Sequence, residues 1–132
     1  MNLDINLESV KKEILNFLEL DGTDIKMLDS KYDSNFNINW DEAFFKKYTG
    51  VIDAIKILKE STRENDKNAQ KCALMLARMM SLSLLNFFEN LFEDIEKIYY
   101  SKVDEWPKLP EGYKVPEKFC PEGNSLRNIA CK

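Results

Sequence analysis

Between Asp66 and Ser101 apolar side chains fall on nearly every side of the chain, and no glycine, proline or histidine interrupts them. The pattern predicts one long helix buried on more than one face. Ala73, Leu76, Met80, Leu84, Phe87, Leu91 and Ile98 cluster along one direction at 100° per residue and define its core face. Lys67, Lys71, Arg78, Glu89, Glu93 and Glu96 lie roughly opposite. That polar face is interrupted: Met75, Leu82 and Leu85 sit on it around Arg78, where a solvated helix should not place them. A helix of this length spans about 52 Å, more than a compact domain of this size is wide. Either it breaks near Ser81-Leu82-Ser83 or one end projects, and a single helix is the expectation.

Two shorter helices precede it. Leu7, Val10, Ile14, Phe17 and Leu18 share one stripe, and Asp21-Gly22 ends it with a glycine suited to a left-handed cap. Asn39 stands three residues before Glu42 in a capping box, with Asp41 favourable at the positive helix end. Phe44, Tyr48, Val51, Ile55 and Leu58 follow as the second stripe, in which Gly50 permits a close neighbour. The polar run 60–68 closes that helix, with Asp66 as the next cap.

Residues 33–41 alternate strictly, with Phe36, Ile38 and Trp40 on one side and Asn35, Asn37 and Asn39 on the other. A period of two predicts a short strand, paired with residues around Ile25 and Met27 in a hairpin within 24–40. All four prolines fall after position 106, so 101–132 reads as an extended strap carrying Trp106, Leu109, Tyr113, Val115 and Phe119. Asn124 or Ser125 is expected to cap a last turn reaching Cys131. The fold class is therefore mainly α: a single domain over 1–132 built as a small bundle of three principal helices, the third long and central.

Charge and composition narrow the function mainly by exclusion. The net charge is −4 with a pI near 5.0, and residues 1–60 hold 12 acids against 8 lysines. Such a chain repels phosphate backbones, so direct nucleic-acid binding is not expected. The longest charge-free run is Met79–Phe88, and Met1–Ile5 lacks a basic leader, so neither a membrane span nor a signal peptide is expected. An odd number of cysteines argues against a disulfide framework and for a cytoplasmic location, with Cys120 and Cys131 pairing only if the tail folds back.

Histidine is absent. That removes the commonest general base, the commonest metal ligand and every histidine-based nucleophile arrangement. Glu89, Glu93, Asp94 and Glu96 place carboxylates on adjacent turns, but a solvated helix end explains them better than a metal or acid–base site. Asp33, Asn35, Asn37, Asn39 and Asp41 have the oxygen spacing of a calcium loop, yet Ile38 stands where glycine is wanted and Phe44 where glutamate is. Cys72 reads as an inert core thiol beside Ala69, Ala73 and Leu76. No cofactor, metal or catalytic residue is expected.

What retains functional weight is the apolar patch on the long helix. The expected function is non-catalytic: a small acidic inhibitor, immunity or accessory factor that occludes a partner protein's surface. Met75, Arg78, Leu82 and Leu85 would make the contact, with Asp21, Asp24 and Asp33 steering toward a basic partner. The alternative is a structural subunit that self-associates through the central helix, and a third is an enzyme without histidine chemistry.

Overall fold

The computed structural model describes residues 6–123 and 126–131, and the expected leader-free start at Met1–Ile5 and the capping residues Asn124 and Ser125 lie outside them. The chain is mainly helical, with two long helices packed on each other and no strand among the described residues. The elements are α1 (Leu7–Leu20), a 3-10 turn (Ile25–Met27) running into the short α2 (Leu28–Lys31), α3 (Trp40–Arg63) and α4 (Lys67–Ser101). The chain divides into two compact units, Met1–Tyr99 and Tyr100–Lys132.

In the first unit the caps follow the sequence. Asn39 Oδ1 accepts the Glu42 N–H at 2.9 Å, and Asp66 Oδ1 accepts the Ala69 N–H at 3.0 Å. Gly22 takes a φ of +88° while the Thr23 N–H returns to the Leu18 carbonyl at 2.9 Å, closing α1. Only three residues separate α3 from α4, with Asn65 at φ +56° in the turn, so the pair forms an antiparallel hairpin. At Gly50 they approach closely: a Cβ built there would lie 2.7 Å from Met80 Sδ. The long helix is unbroken, and Ser81-Leu82-Ser83 does not interrupt it.

The start of α1 and the start of α3 cap each other. Asn6 supplies no side-chain cap to α1; the Asp41 carboxylate accepts the Leu7 N–H at 2.6 Å and the Glu8 N–H at 3.3 Å. In return Glu8 Oε1 accepts the Trp40 N–H at 2.5 Å. Each carboxylate sits at the positive end of the other's helix. Lys11, 2.8 Å from Glu8 and 2.9 Å from the Ile38 carbonyl, is the first cause and the Trp40 N–H the second that hold the Glu8 carboxyl below its ordinary range.

The hairpin expected within 24–40 does not form. Ile25–Met27 and Leu28–Lys31 are helical turns, and 32–39 is irregular. A strand here has no partner edge, and its own polar side chains offer the backbone closer partners. Asn35 Oδ1 accepts the Asn37 N–H, and the Asn35 carbonyl accepts Trp40 Nε1 at 2.9 Å. Phe36 and Trp40, four residues apart across this irregular stretch, therefore meet with ring centroids at 5.5 Å, while Ile38 is exposed. Leu18, Leu28, Phe36 and Trp40 form the main core, with Phe87, Leu91 and Ile98 of α4 packed against it.

The second unit holds a 3-10 turn at Glu117–Phe119 and a π-helical turn at Arg127–Cys131, joined by a Cys120–Cys131 disulfide. The Val115 N–H reaches the Ala130 carbonyl at 2.9 Å, so the tail does fold back, and an even pair forms despite the odd cysteine count. Arg127 pairs with Glu117 and donates to the Pro121 carbonyl at 2.9 Å.

Candidate interaction surface

Few large side chains are fully buried: the buried apolar set is Leu18, Leu28, Phe36, Trp40, Ala54 and Ala73. The α3–α4 hairpin therefore packs one face of each long helix and leaves the rest open. On α4 the buried face carries Ala73, Phe87, Leu91, Asp94 and Ile98. To one side of it Leu74, Leu85, Phe88, Phe92 and Ile95 are exposed, from 43% at Phe88 to 62% at Phe92. From Leu85 to Ile95 these positions recur at spacings of three and four, with Leu74 three turns earlier on the same side, the rhythm of a helix that seats against a second helix.

The open strip continues across to α3. Phe44 touches Phe88 edge-on with centroids 5.8 Å apart and stacks on Tyr48 at 5.8 Å. Ile52 and Ile55, both exposed, extend the same side of α3. The result is one apolar face shared by two antiparallel helices. Monomeric proteins rarely leave such a continuous patch uncovered.

Met75, Leu82 and Leu85 are all exposed, as is Arg78 between them. Leu85 belongs to the strip itself, and Met75 and Leu82 border it across the narrow ribbon of Lys71, Arg78, Glu89 and Glu96. The three aspartates are elsewhere. Asp21 and Asp24 lie in the turn after α1, where Asp24 Oδ1 accepts the Lys26 N–H. Asp33 is paired with Lys97 at 3.0 Å, about 18 Å along α4 from Leu85. Lys97 is the first cause and Glu93 the second that hold the Asp33 carboxyl below its ordinary range, and Asp33 in turn raises both Lys97 and Glu93. The structure thus groups the apolar site residues and does not bring the acidic ones to them. The exposed seam Phe88–Phe92–Ile95 was missed from sequence because the aromatic positions were not sorted by which flank of the core face they occupy.

The calcium-like oxygen set does not converge. Asn35 and Asn39 satisfy local backbone, Asn37 Nδ2 reaches Asp29, and Asp41 caps α1. Among the described residues no group of three or more metal-ligating side chains is gathered. Asp33, Asn35, Lys47, Ser83, Asn86 and Asn90 line a cleft of about 300 Å³ beside Trp40. Cys72 is exposed, not a core thiol: the side chain points off the Ala69–Ala73–Leu76 face, and only Ala73 beside it is fully buried.

By length and composition alone α4 is also apolar enough to cross a membrane, a test that the core helix of a soluble protein can pass as well. Compared with known protein families, with curated proteins and with solved structures, the chain matches none.

Proposed function

We propose that the chain is a non-catalytic protein-binding module that docks through the open apolar face of its α3–α4 hairpin. The observation behind this reading is the continuous strip from Ile52 and Ile55 on α3 to Leu85 and Phe92 on α4. Fully burying an exposed leucine, isoleucine or phenylalanine is worth about 1.5–3 kcal/mol and these half-exposed side chains gain roughly half of that each, so covering several of them drives association. In this reading Leu85 lies within the contact, and Met75, Arg78 and Leu82 form its rim. The acidic Asp21–Asp33 region acts only at long range, steering a basic partner.

The finer architecture that accompanies the proposal is a bundle of three principal helices carrying an extended strap over 101–132. Cytoplasmic location belongs to it as well, and requires Cys120 and Cys131 to be thiols there. Occlusion of a partner's working surface is the mode of action, with no chemistry performed by the chain itself.

Site-specific photo-crosslinking tests the reading in the cell that makes the protein. A photoreactive phenylalanine analogue at Ile52 or Leu85 should give defined protein adducts, and one at the exposed, polar Lys56 should not. Absence of any adduct from both apolar positions would end the proposal.

A further inference from the structure

We infer that the occupant of this face is a second copy of the chain, with the two α4 helices antiparallel about a two-fold axis beside Ser83. The inference rests on the docking reading above and names its partner; a second copy of this acidic chain takes the place of a basic partner, so Asp21, Asp24 and Asp33 have no part in the contact.

Charge along α4 is the first argument. Its N-terminal half carries Lys67, Lys71 and Arg78 beside the seam, and its C-terminal half Glu89 and Glu96. A parallel pair would set like charges side by side. An antiparallel pair sets Arg78 beside Glu89 of the other copy and Lys71 beside Glu96, each contact occurring twice. Within one helix Arg78 and Glu89 are eleven residues apart, about 16 Å along the axis, too far to pair with each other.

The seam falls into step with that register. Leu74, Ser81, Phe88 and Ile95 recur every seventh residue, with Arg78, Leu85 and Phe92 between them. When Ser81 faces Leu85 of the second copy, Leu74 faces Phe92 and Arg78 lies over Phe88, where a guanidinium stacks on a ring face. The layers centre on Ser83 and the charged pairs half a residue beyond it, an offset of about 1.5 Å between partners that long charged side chains span, so one arrangement accommodates both. Apolar contact supplies the association, and the charged ribbon selects orientation.

Area is the second argument. A large apolar side chain presents about 200 Å² in full. Leu74, Leu85, Phe92, Ile95, Ile52 and Ile55 are each about half exposed, and so offer roughly 600 Å². Their rim residues bring the patch close to the ~800 Å² per partner of a stable interface.

Charge reversal with rescue decides it, using the full chain in light scattering and sedimentation across a concentration series. The expected mass is twice 15.5 kDa. Arg78→Glu should weaken the dimer at least tenfold without altering helix content, because Arg78 is exposed. Arg78→Glu with Glu89→Arg should restore it. A 15.5 kDa monomer throughout, or a dimer indifferent to both changes, overturns the inference. Two outcomes separate it from the docking reading. Leu85 adducts with a foreign protein from a monomeric chain sink self-pairing and leave docking intact. Flotation of a monomer with phosphatidylserine vesicles, abolished by Phe92→Glu, sinks both in favour of a lipid surface.

Discussion

Asp94 holds Ser34. The carboxylate, 1% exposed on α4, accepts the backbone N–H of Ser34 at 2.7 Å and that of Asp33 at the same distance. Two charge-assisted bonds tie the loop before α3 to the far end of the long helix and so seat Phe36 and Trp40 in the core. Asp94→Ala would leave two donors without their partner, the more costly kind of loss. We expect it to destabilise the chain by about 3 kcal/mol in urea unfolding, and Asp94→Asn by about half that, since an amide oxygen satisfies one donor and places its NH₂ against the other.

Beside that clamp, Asp33, Glu93 and Lys97 give stability a pH dependence of definite sign. Asp33 sits below its ordinary 3.8 because of Lys97, so its contribution is present above that pH and is lost as pH falls through the lowered value. Lys97 is raised above 10.5 by Asp33, so its contribution is present below that pH and fades as pH rises through the raised value. Lys97→Met should therefore separate most from the parent between those limits and converge with it at both ends. Glu93 is raised above 4.5 by Asp33, a penalty that grows as pH rises. Glu93→Gln should gain on the parent from mildly acid toward neutral pH. Urea midpoints at pH 3, 7 and 11 read both trends; a gap for Lys97→Met that is unchanged at pH 3 would refute the assignment.

The helices and their caps were legible because each is fixed by local sequence: an amphipathic stripe, an Asn-x-x-Glu box, and Gly22 with its positive φ; Gly50 was legible as a residue without a side chain inside a helical stripe. The 33–41 segment was not. Its alternation is real, but a period of two yields a strand only where another edge accepts its hydrogen bonds. Here the acceptor is Asp94, sixty residues away in sequence, and nothing local announces it. The same holds for the Glu8–Asp41 exchange between helix starts. Of the candidate surface, Met75, Leu82 and Leu85 were visible as apolar residues on a charged face. Ile52, Phe88 and Phe92 became part of it only once the touching rings of Phe44 and Phe88 showed which flanks of two helices share a side.

Gly50 and Met80 set the spacing of the α3–α4 hairpin. An added methyl at Gly50 meets Met80 Sδ at 2.7 Å and Cγ at 2.8 Å, so the methionine must move. Alanine also gains about 1 kcal/mol of helix propensity over glycine, and methionine is adaptable. Gly50→Ala should consequently be near neutral, within about 1 kcal/mol, while Gly50→Val should cost about 2–3 kcal/mol by overpacking. Placed in a Met80→Ala background, which opens the space, Gly50→Ala should turn stabilising. A double-mutant cycle without such coupling would mean that the helices do not touch at this point.

The Cys120–Cys131 bond closes a short loop, and its loss should be felt in the second unit by itself. Loop-closure entropy for a ring of this size amounts to about 3 kcal/mol. Under dithiothreitol the Val115 amide, bonded to the Ala130 carbonyl, should exchange with solvent at least tenfold faster. Amides around Trp40 and Ala73, buried in the first unit, should be unchanged. The same pair reports compartment. Rapid alkylation at lysis modifies exposed Cys72 in any setting. In a cytoplasmic chain Cys120 and Cys131 should be modified with it, because glutathione keeps such pairs reduced. Protection of both, with Cys72 labelled, would place the chain in an oxidising compartment, and the search for whatever covers α4 would move there with it.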